Sequence, residues 1–309
     1  MISTVTLNPS LDKTVTVEEL VVDEANRWTS LRRDAGGKGI NVSRVIHELG
    51  GETIAYGFIG GFDGETLKHL LRQQGVPFDL TSIKREIRSN FIITDLKTCR
   101  QTRIDAPGPH ISRDELRKLI DKITRIKIKP DFLVFAGSVP PGVPADIYRQ
   151  LIEKAKESGI KTVLDSDNTW LKEGIKAKPN VIKPNVHEAE ELLELKLRDE
   201  RAIIEAVKTL VSKGIDVATI SRGKDGLIVA TKEKVLKVTS PQVEVRSTVG
   251  AGDSAIAGLV LKLSQGHRIE EASQWAAAAG AAATLTPGTE LCRREDVERL
   301  FPQVKVKRL

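Results

Sequence analysis

Short runs rich in Val, Ile and Leu alternate with amphipathic stretches along most of this chain, and that alternation admits few folds. A strand followed by a helix must cross back before the next strand can pair parallel to the first, so the pattern specifies βαβ units around a parallel sheet. The runs at Val5–Leu7, Asp131–Phe135, Thr162–Asp165, Val181–Lys183, Val217–Ser221 and Gly226–Ala230 read as buried strands. Helical periodicity marks Ile40–Leu49, Gly64–Gln74, Arg113–Arg125, Ala145–Ser158, His187–Leu193, Glu200–Lys213, Asp253–Ser264, Ile269–Thr284 and Arg294–Leu300. No linker, repeat or low-complexity segment divides the 309 residues, so a single domain over residues 1–309 is expected.

Two early segments, residues 13–34 and 87–105, depart from this plan. They alternate apolar or branched residues with polar ones, as half-exposed antiparallel strands do. The expectation is a small sheet that leaves the main domain as a lid. Its apolar face needs cover, which makes a homodimer through the lid the expected assembly. The alanine-rich run Trp275–Ala283 reads as a helix whose small side chains allow close packing, with a place beside a ligand pocket as the lesser reading.

Composition narrows the function. The chain is 40% hydrophobic and 29% charged, ordinary for a water-soluble domain, and no apolar run is long enough to span a bilayer. Met1–Leu7 lacks a basic leader and reads as a first strand, so a cytoplasmic protein is expected. Cys99 and Cys292 imply no disulfide framework, and the five histidines show no metal-ligand spacing. The net charge of +6 is dispersed among acidic residues and aromatics make up only 4%, which argues against a nucleic-acid surface and suits small anionic substrates.

The segment Ser247-Thr248-Val249-Gly250-Ala251-Gly252-Asp253-Ser254 runs directly into a helical pattern. Two glycines let backbone approach an anion closely, and the helix start aims unpaired N–H groups at it. Asp253 in the first turn then stands beside bound phosphates, where a carboxylate can take a proton from an attacking hydroxyl. These residues point to phosphoryl transfer to an alcohol, although the same types also make an ordinary turn with an acidic first residue.

Four further clusters accompany it. Ala35-Gly36-Gly37-Lys38-Gly39-Ile40-Asn41 is a second Gly-rich helix entry. Asn8-Pro9-Ser10-Leu11-Asp12 follows the first strand, Ala136-Gly137-Ser138 turns after a buried one, and Lys183-Pro184-Asn185-Val186-His187-Glu188 ends another. In open α/β sheets, ligands bind at such carboxyl ends. In their order and content these motifs resemble the PfkB family of ribokinase-like sugar kinases, within its phosphofructokinase and tagatose-6-phosphate kinase branch.

That resemblance implies a three-layer α/β/α fold with a mostly parallel central sheet and a small β-sheet lid. It implies ATP and Mg²⁺ as cofactors, with a sugar phosphate as acceptor. By position, Asp253 matches the catalytic base, and the amides of Gly250, Ala251 and Gly252 match the anion hole. Asp12, Gly37, Lys38, Asn41 and Ser138 match sugar-phosphate contacts. Arg88 matches the arginine on the substrate's existing phosphate, and Arg27 a second basic lid position. Lys183, Asn185, Ser221 and Gly223 match nucleotide-site residues, and Asn185 with Glu188 matches the motif that positions Mg²⁺ through water.

Three departures stand out. Ile92 occupies a position where many 1-phosphofructokinases carry lysine, Arg222 replaces a small residue, and Asp165-Ser166-Asp167-Asn168 replaces a more usual Asp-Ser-Ser-Gly. The segment Gly57–Phe62 and the tail Val304–Leu309 favour fructose 1-phosphate as acceptor, giving fructose 1,6-bisphosphate. Thr284–Cys292 is similar to the minor bacterial 6-phosphofructokinase, which keeps fructose 6-phosphate open, and the opening strand suits the tagatose-6-phosphate kinases as well. A non-catalytic sugar-phosphate sensor on the same fold is the rival from another class.

Overall fold

Strand β1 (Ile2–Thr6) runs through the interior of a ten-stranded sheet, and all five of its residues are buried. The computed structural model describes residues 1–309. After β1 come β2 (Ser10–Val17), β3 (Ser30–Gly36), α1 (Lys38–Glu48), β4 (Thr53–Ile59), α2 (Gly61–Gln73), β5 (Phe78–Ser82), β6 (Arg88–Asp95), β7 (Arg100–Ile104) and α3 (Arg113–Thr124). Next are β8 (Phe132–Ala136), α4 (Ile147–Glu157), β9 (Lys161–Asp165), α5 (Asn168–Gly174), β10 (Val181–Ile182), α6 (Val186–Leu193) and α7 (Glu200–Ser212). The chain ends with β11 (Val217–Ser221), β12 (Leu227–Ala230), β13 (Val235–Thr239), α8 (Ala251–Ser264), α9 (Ile269–Ala283), α10 (Arg294–Leu300) and β14 (Lys305–Arg308).

The main sheet has the order β14-β13-β12-β11-β10-β9-β8-β1-β4-β5. Every pair from β11 to β5 is parallel, while β12, β13 and β14 close one edge as an antiparallel meander. Residues along β8 feed two cores in turn. Leu133 and Phe135 join the one built on α3, α4 and α7, whereas Phe132, Val134 and Ala136 join the one built on α1, α8 and α9. A strand buried on both faces needs an unbroken apolar run, which is why β8 was legible from sequence. The three-layer, mostly parallel architecture agrees with the sequence reading. The strands β4, β5, β13 and β14 were not among those read from the pattern.

The second sheet has the order β3-β2-β6-β7 and covers the ends of the main strands as a lid. Its outer pairs are antiparallel, as expected, but the central pair, β2 with β6, is parallel. The reason is topological. Both β2 and β6 leave the same end of a parallel sheet, one after β1 and the other after β5, so they run in the same direction.

The alanine-rich helix α9 packs against α8 at very short range. A Cβ on Gly258 would stand 2.8 Å from the Trp275 carbonyl oxygen and 3.2 Å from the Ala279 Cβ. Gly258→Leu should therefore overpack this contact and cost about 2–3 kcal/mol, read as a lower urea midpoint with an unchanged slope. An unchanged midpoint would show that the two helices have room to part.

Candidate active site

The carboxyl ends of β1, β8, β9, β10 and β11 open under the lid onto one cavity of about 570 Å³. At its centre, Gly250 precedes α8 in the left-handed region, φ 78°, with the Leu291 side chain packed where a Cβ would project. A larger residue would pay twice there, in backbone strain and in collision. The first-turn amides of α8, including that of Gly252, have no partner within the helix. The Lys183 ammonium stands 3.3 Å from the place a Gly252 Cβ would occupy, adding a cation to these donors.

Asp253 is only 7% exposed. Its Oδ2 accepts a hydrogen bond of 2.8 Å from Asn41 Nδ2. Burial, with the nearby Asp165 carboxylate second, pushes its pKa up to about 6, against the opposing pull of Lys38, Asn41 and Lys183. A carboxylate so poised is ionised at neutral pH yet basic enough to take a proton.

Asp165, at the end of β9, is 3.6 Å from the Lys183 ammonium and 3.9 Å from that of Lys38. Lys38 also lies 3.9 Å from Glu188 Oε1. Burial opposes the charge on Lys38, but Asp165, Glu188 and Asp253 together hold its pKa above the ordinary value. The spacing of Asn185 and Glu188 has a local cause. Asn185 Oδ1 accepts from the Glu188 N–H at 2.9 Å, and Glu188 Oε2 accepts from the Asn185 N–H at 2.7 Å, capping α6 at its start. The capping bonds leave Glu188 Oε1 on the Lys38 side, facing the cavity. No group of three or more His, Cys, Asp or Glu residues forms a metal cage. A single cavity-facing carboxylate oxygen that accepts no hydrogen bond suits Mg²⁺, which keeps its waters and takes most ligands from phosphates.

At the lid end, Asp12 is buried and accepts from Ser10 Oγ at 2.7 Å and Asn90 Nδ2 at 2.9 Å. Burial raises its pKa despite these bonds. The Gly36 backbone lies so close that a Cβ there would collide with this carboxyl group. Arg88 donates to the carbonyls of Asn8, 3.2 Å, and Ala106, 2.9 Å, which point its guanidinium along the cavity wall. Asn8 Nδ2 also donates to Ser138 Oγ at 3.1 Å. Gly37, Lys38 and Asn41 complete this side.

Ser221, Gly223 and Gly252 line the cavity and also an adjoining apolar pocket of about 320 Å³, which Ala251 enters too. Its walls include Pro241, Val243 and, from α9, Ala276, Ala277, Gly280 and Ala281. The alanine run thus shapes a pocket as well as packing a helix. Arg222 turns away from it, donating to Glu200 on α7 at 2.9 Å. Asn168 takes a left-handed φ of 48°, a conformation asparagine tolerates, where the usual run has glycine.

The sequence-derived residues therefore gather around one cavity and its annexe, except Arg27, which is exposed in the loop between β2 and β3. Sequence reasoning missed Asn90, Arg103, Asp105, Asp165 and Asp167 as cavity residues. The strand-end rule marks Asp165. Nothing local marks Arg103, which reaches the site because β7 pairs it with Ile92.

Comparison with known proteins decides the family. The sequence matches the pfkB family of carbohydrate kinases over residues 5–296. The chain belongs to that family. It is similar to 1-phosphofructokinase of Bacillus subtilis, 35% identical over 100% of both chains. ATP-dependent 6-phosphofructokinase isozyme 2 of Mycobacterium tuberculosis is 35% identical over 97% of this chain and 88% of its own. Tagatose-6-phosphate kinase of Staphylococcus epidermidis is 33% identical over 99% of both. A crystal structure of phosphofructokinase-2 from Escherichia coli, in complex with substrates and products, superposes with a TM-score of 0.94 at 33% identity over 98% of both chains. This pfkB kinase thus combines the family's fold with a cavity lined by both carboxylates and cations, Asp253 among them.

Because the folded protein raises the Asp253 pKa, it binds more protons than the unfolded chain between the ordinary value and about 6. Stability therefore falls as pH rises through that window and stays lower above it. Asp253→Asn should stabilise the protein by about 3 kcal/mol near pH 8 and leave it unchanged near pH 4, read from urea unfolding. Equal effects at both pH values would show that the carboxyl group carries no such shift.

Proposed function

We propose that this ATP-dependent sugar-phosphate kinase is a cytoplasmic enzyme that phosphorylates the free primary hydroxyl of fructose 1-phosphate, giving fructose 1,6-bisphosphate and ADP. The observation that carries the reading is the position of Asp253, in one cavity between the basic lid residue Arg88 and the Lys183-flanked start of α8. Asp253 accepts the hydroxyl proton as that oxygen forms its bond to the γ-phosphorus, and the bond from phosphorus to the ADP oxygen breaks. The Gly250, Ala251 and Gly252 amides with Lys183 bear the charge that spreads over the transferred group. Lys38, held between Asp165 and Glu188, supplies a second cation to the same region.

Asn185 and Glu188 would hold Mg²⁺ through water, and the ion when bound neutralises phosphate charge. Ser221 and Gly223 border the nucleotide, whose flat base suits the apolar slot beside α9. Asp12 and Ser138 bond sugar hydroxyls, while Arg88 and Arg103 hold the existing phosphate, Arg103 standing in for the lysine absent at Ile92. The preference for fructose 1-phosphate draws on the full-length likeness to the Bacillus subtilis protein, which is named for that activity.

Val22, Trp28, Phe91 and Ile104 are exposed on the lid. Phe91 and Ile104 are direct cross-strand partners. A patch of this kind fits a second copy of the chain, and the pair Phe91→Lys and Ile104→Lys should convert a dimer to a monomer in sedimentation. A wild-type monomer would remove the assembly.

The substrate is tested by kcat/KM on fructose 1-phosphate, fructose 6-phosphate and tagatose 6-phosphate. A preference of about a hundredfold for fructose 1-phosphate, or ~2.7 kcal/mol in the transition state, is expected. The same margin for another sugar would reassign the enzyme, and no turnover on any would replace the kinase reading with a sensor. Asp253→Asn should lose at least about a hundredfold in kcat on the preferred sugar.

A further inference from the structure

Arg44 lies one turn beyond Asn41 on α1 and is 7% exposed, the deepest arginine near the site, and the transfer step does not call on it. Its Nη1 donates to the Ala35 carbonyl at 2.7 Å, to Asn41 Oδ1 at 3.3 Å and to the Thr289 carbonyl at 3.4 Å. Its Nε donates to Gln74 Oε1 at 2.8 Å. The guanidinium therefore joins the end of lid strand β3, helix α1, the end of α2 and the loop before α10. Asp34, which faces it from β3 at 3.9 Å, is itself bonded by Thr289 Oγ1 at 2.8 Å and by Arg32 at 2.7 Å.

A guanidinium only donates hydrogen bonds, and an ionised carboxylate only accepts them. An amide placed between the two has one satisfactory orientation, oxygen toward the guanidinium and nitrogen toward the carboxylate. We propose that Arg44 is a positioning residue for phosphoryl transfer: by holding Asn41 Oδ1 it aims Asn41 Nδ2 at Asp253 Oδ2 and leaves the other Asp253 oxygen for the acceptor hydroxyl. This rests on the reading of Asp253 as the base. Without Arg44 the Asn41 amide is free to turn its oxygen toward Asp253, which disfavours the ionised carboxylate. The other charged groups around Asp253 are Lys38 from α1, Asp165 from β9 and Lys183 after β10, and none of them contacts Asn41 Oδ1.

The test is the acid limb of the kcat–pH profile for wild type, Arg44→Met, Asn41→Ala and the double variant, each normalised to its folded fraction. Arg44→Met should move the limb upward by about half a pH unit or more, and should add a clearly smaller shift in the Asn41→Ala background, where only its direct charge on Asp253 remains to be lost. A limb that stays in place, or an equal shift in both backgrounds, overturns the proposal. If Arg44→Met does not fold, Arg44→Lys keeps the buried charge opposite Asp34 but loses the fork. It should shift the limb the same way, and an unmoved limb again overturns the proposal. Full turnover by Asp253→Asn would instead remove the base assignment beneath it.

Discussion

A carboxylate buried at the first turn of α8 has to remain ionised at neutral pH, and much of the surrounding structure answers that demand. Burial alone drives Asp253 toward its neutral form, and Asp165 adds to the pressure. Lys38 and Lys183 oppose it from two different elements, and Asn41 contributes a direct hydrogen bond. The balance leaves a base stronger than an exposed aspartate. The same two lysines also flank Asp165, so one pair of cations faces both buried carboxylates.

Position in the sheet makes this arrangement possible. Parallel strands end together, so the ends of β1, β8, β9, β10 and β11, with the residues just after them, deliver Asn8, Ser138, Asp165, Lys183 and Ser221 to one rim although they lie far apart in sequence. The lid adds what the rim lacks. Its inward face carries Asp12, Asn90 and Arg103 toward the cavity, while Phe91 and Ile104 face outward. One small sheet thus combines an exposed apolar surface with a cavity wall, and alternation along each strand assigns the two faces.

Legibility followed whether a residue's task is local. Gly250 and Asp253 were found because a left-handed residue before a helix and an acid in its first turn are short-range features. The pair Asn185 and Glu188 came from the family motif, and the structure gives their spacing a local cause in a reciprocal helix cap. Strand β8 was plain because it is buried on both faces. Strands β4 and β5 were missed: Gly57 interrupts the run in β4, where a Cβ would collide with the Thr6 carbonyl oxygen, and β5 is half exposed at a sheet edge. The chemistry of the alanine run was half legible. Small residues announced close packing, but that Ala276, Ala277 and Ala281 also wall a pocket depends on which face α9 turns to it.

The sequence by itself determined the parallel three-layer plan, the two Gly-rich helix entries and the identity of the acid in the first turn of α8, because each is set by neighbours within a few residues. Only the tertiary structure decided the parallel pairing of β2 with β6, the entry of Arg103 into the cavity, and the hold of Arg44 on Asn41. The first two depend on strand register, and the bond from Asn41 to Asp253 that the third supports spans a separation of 212 residues. Contacts of that kind leave no periodicity in the chain, since neither partner's neighbours carry any mark of the other.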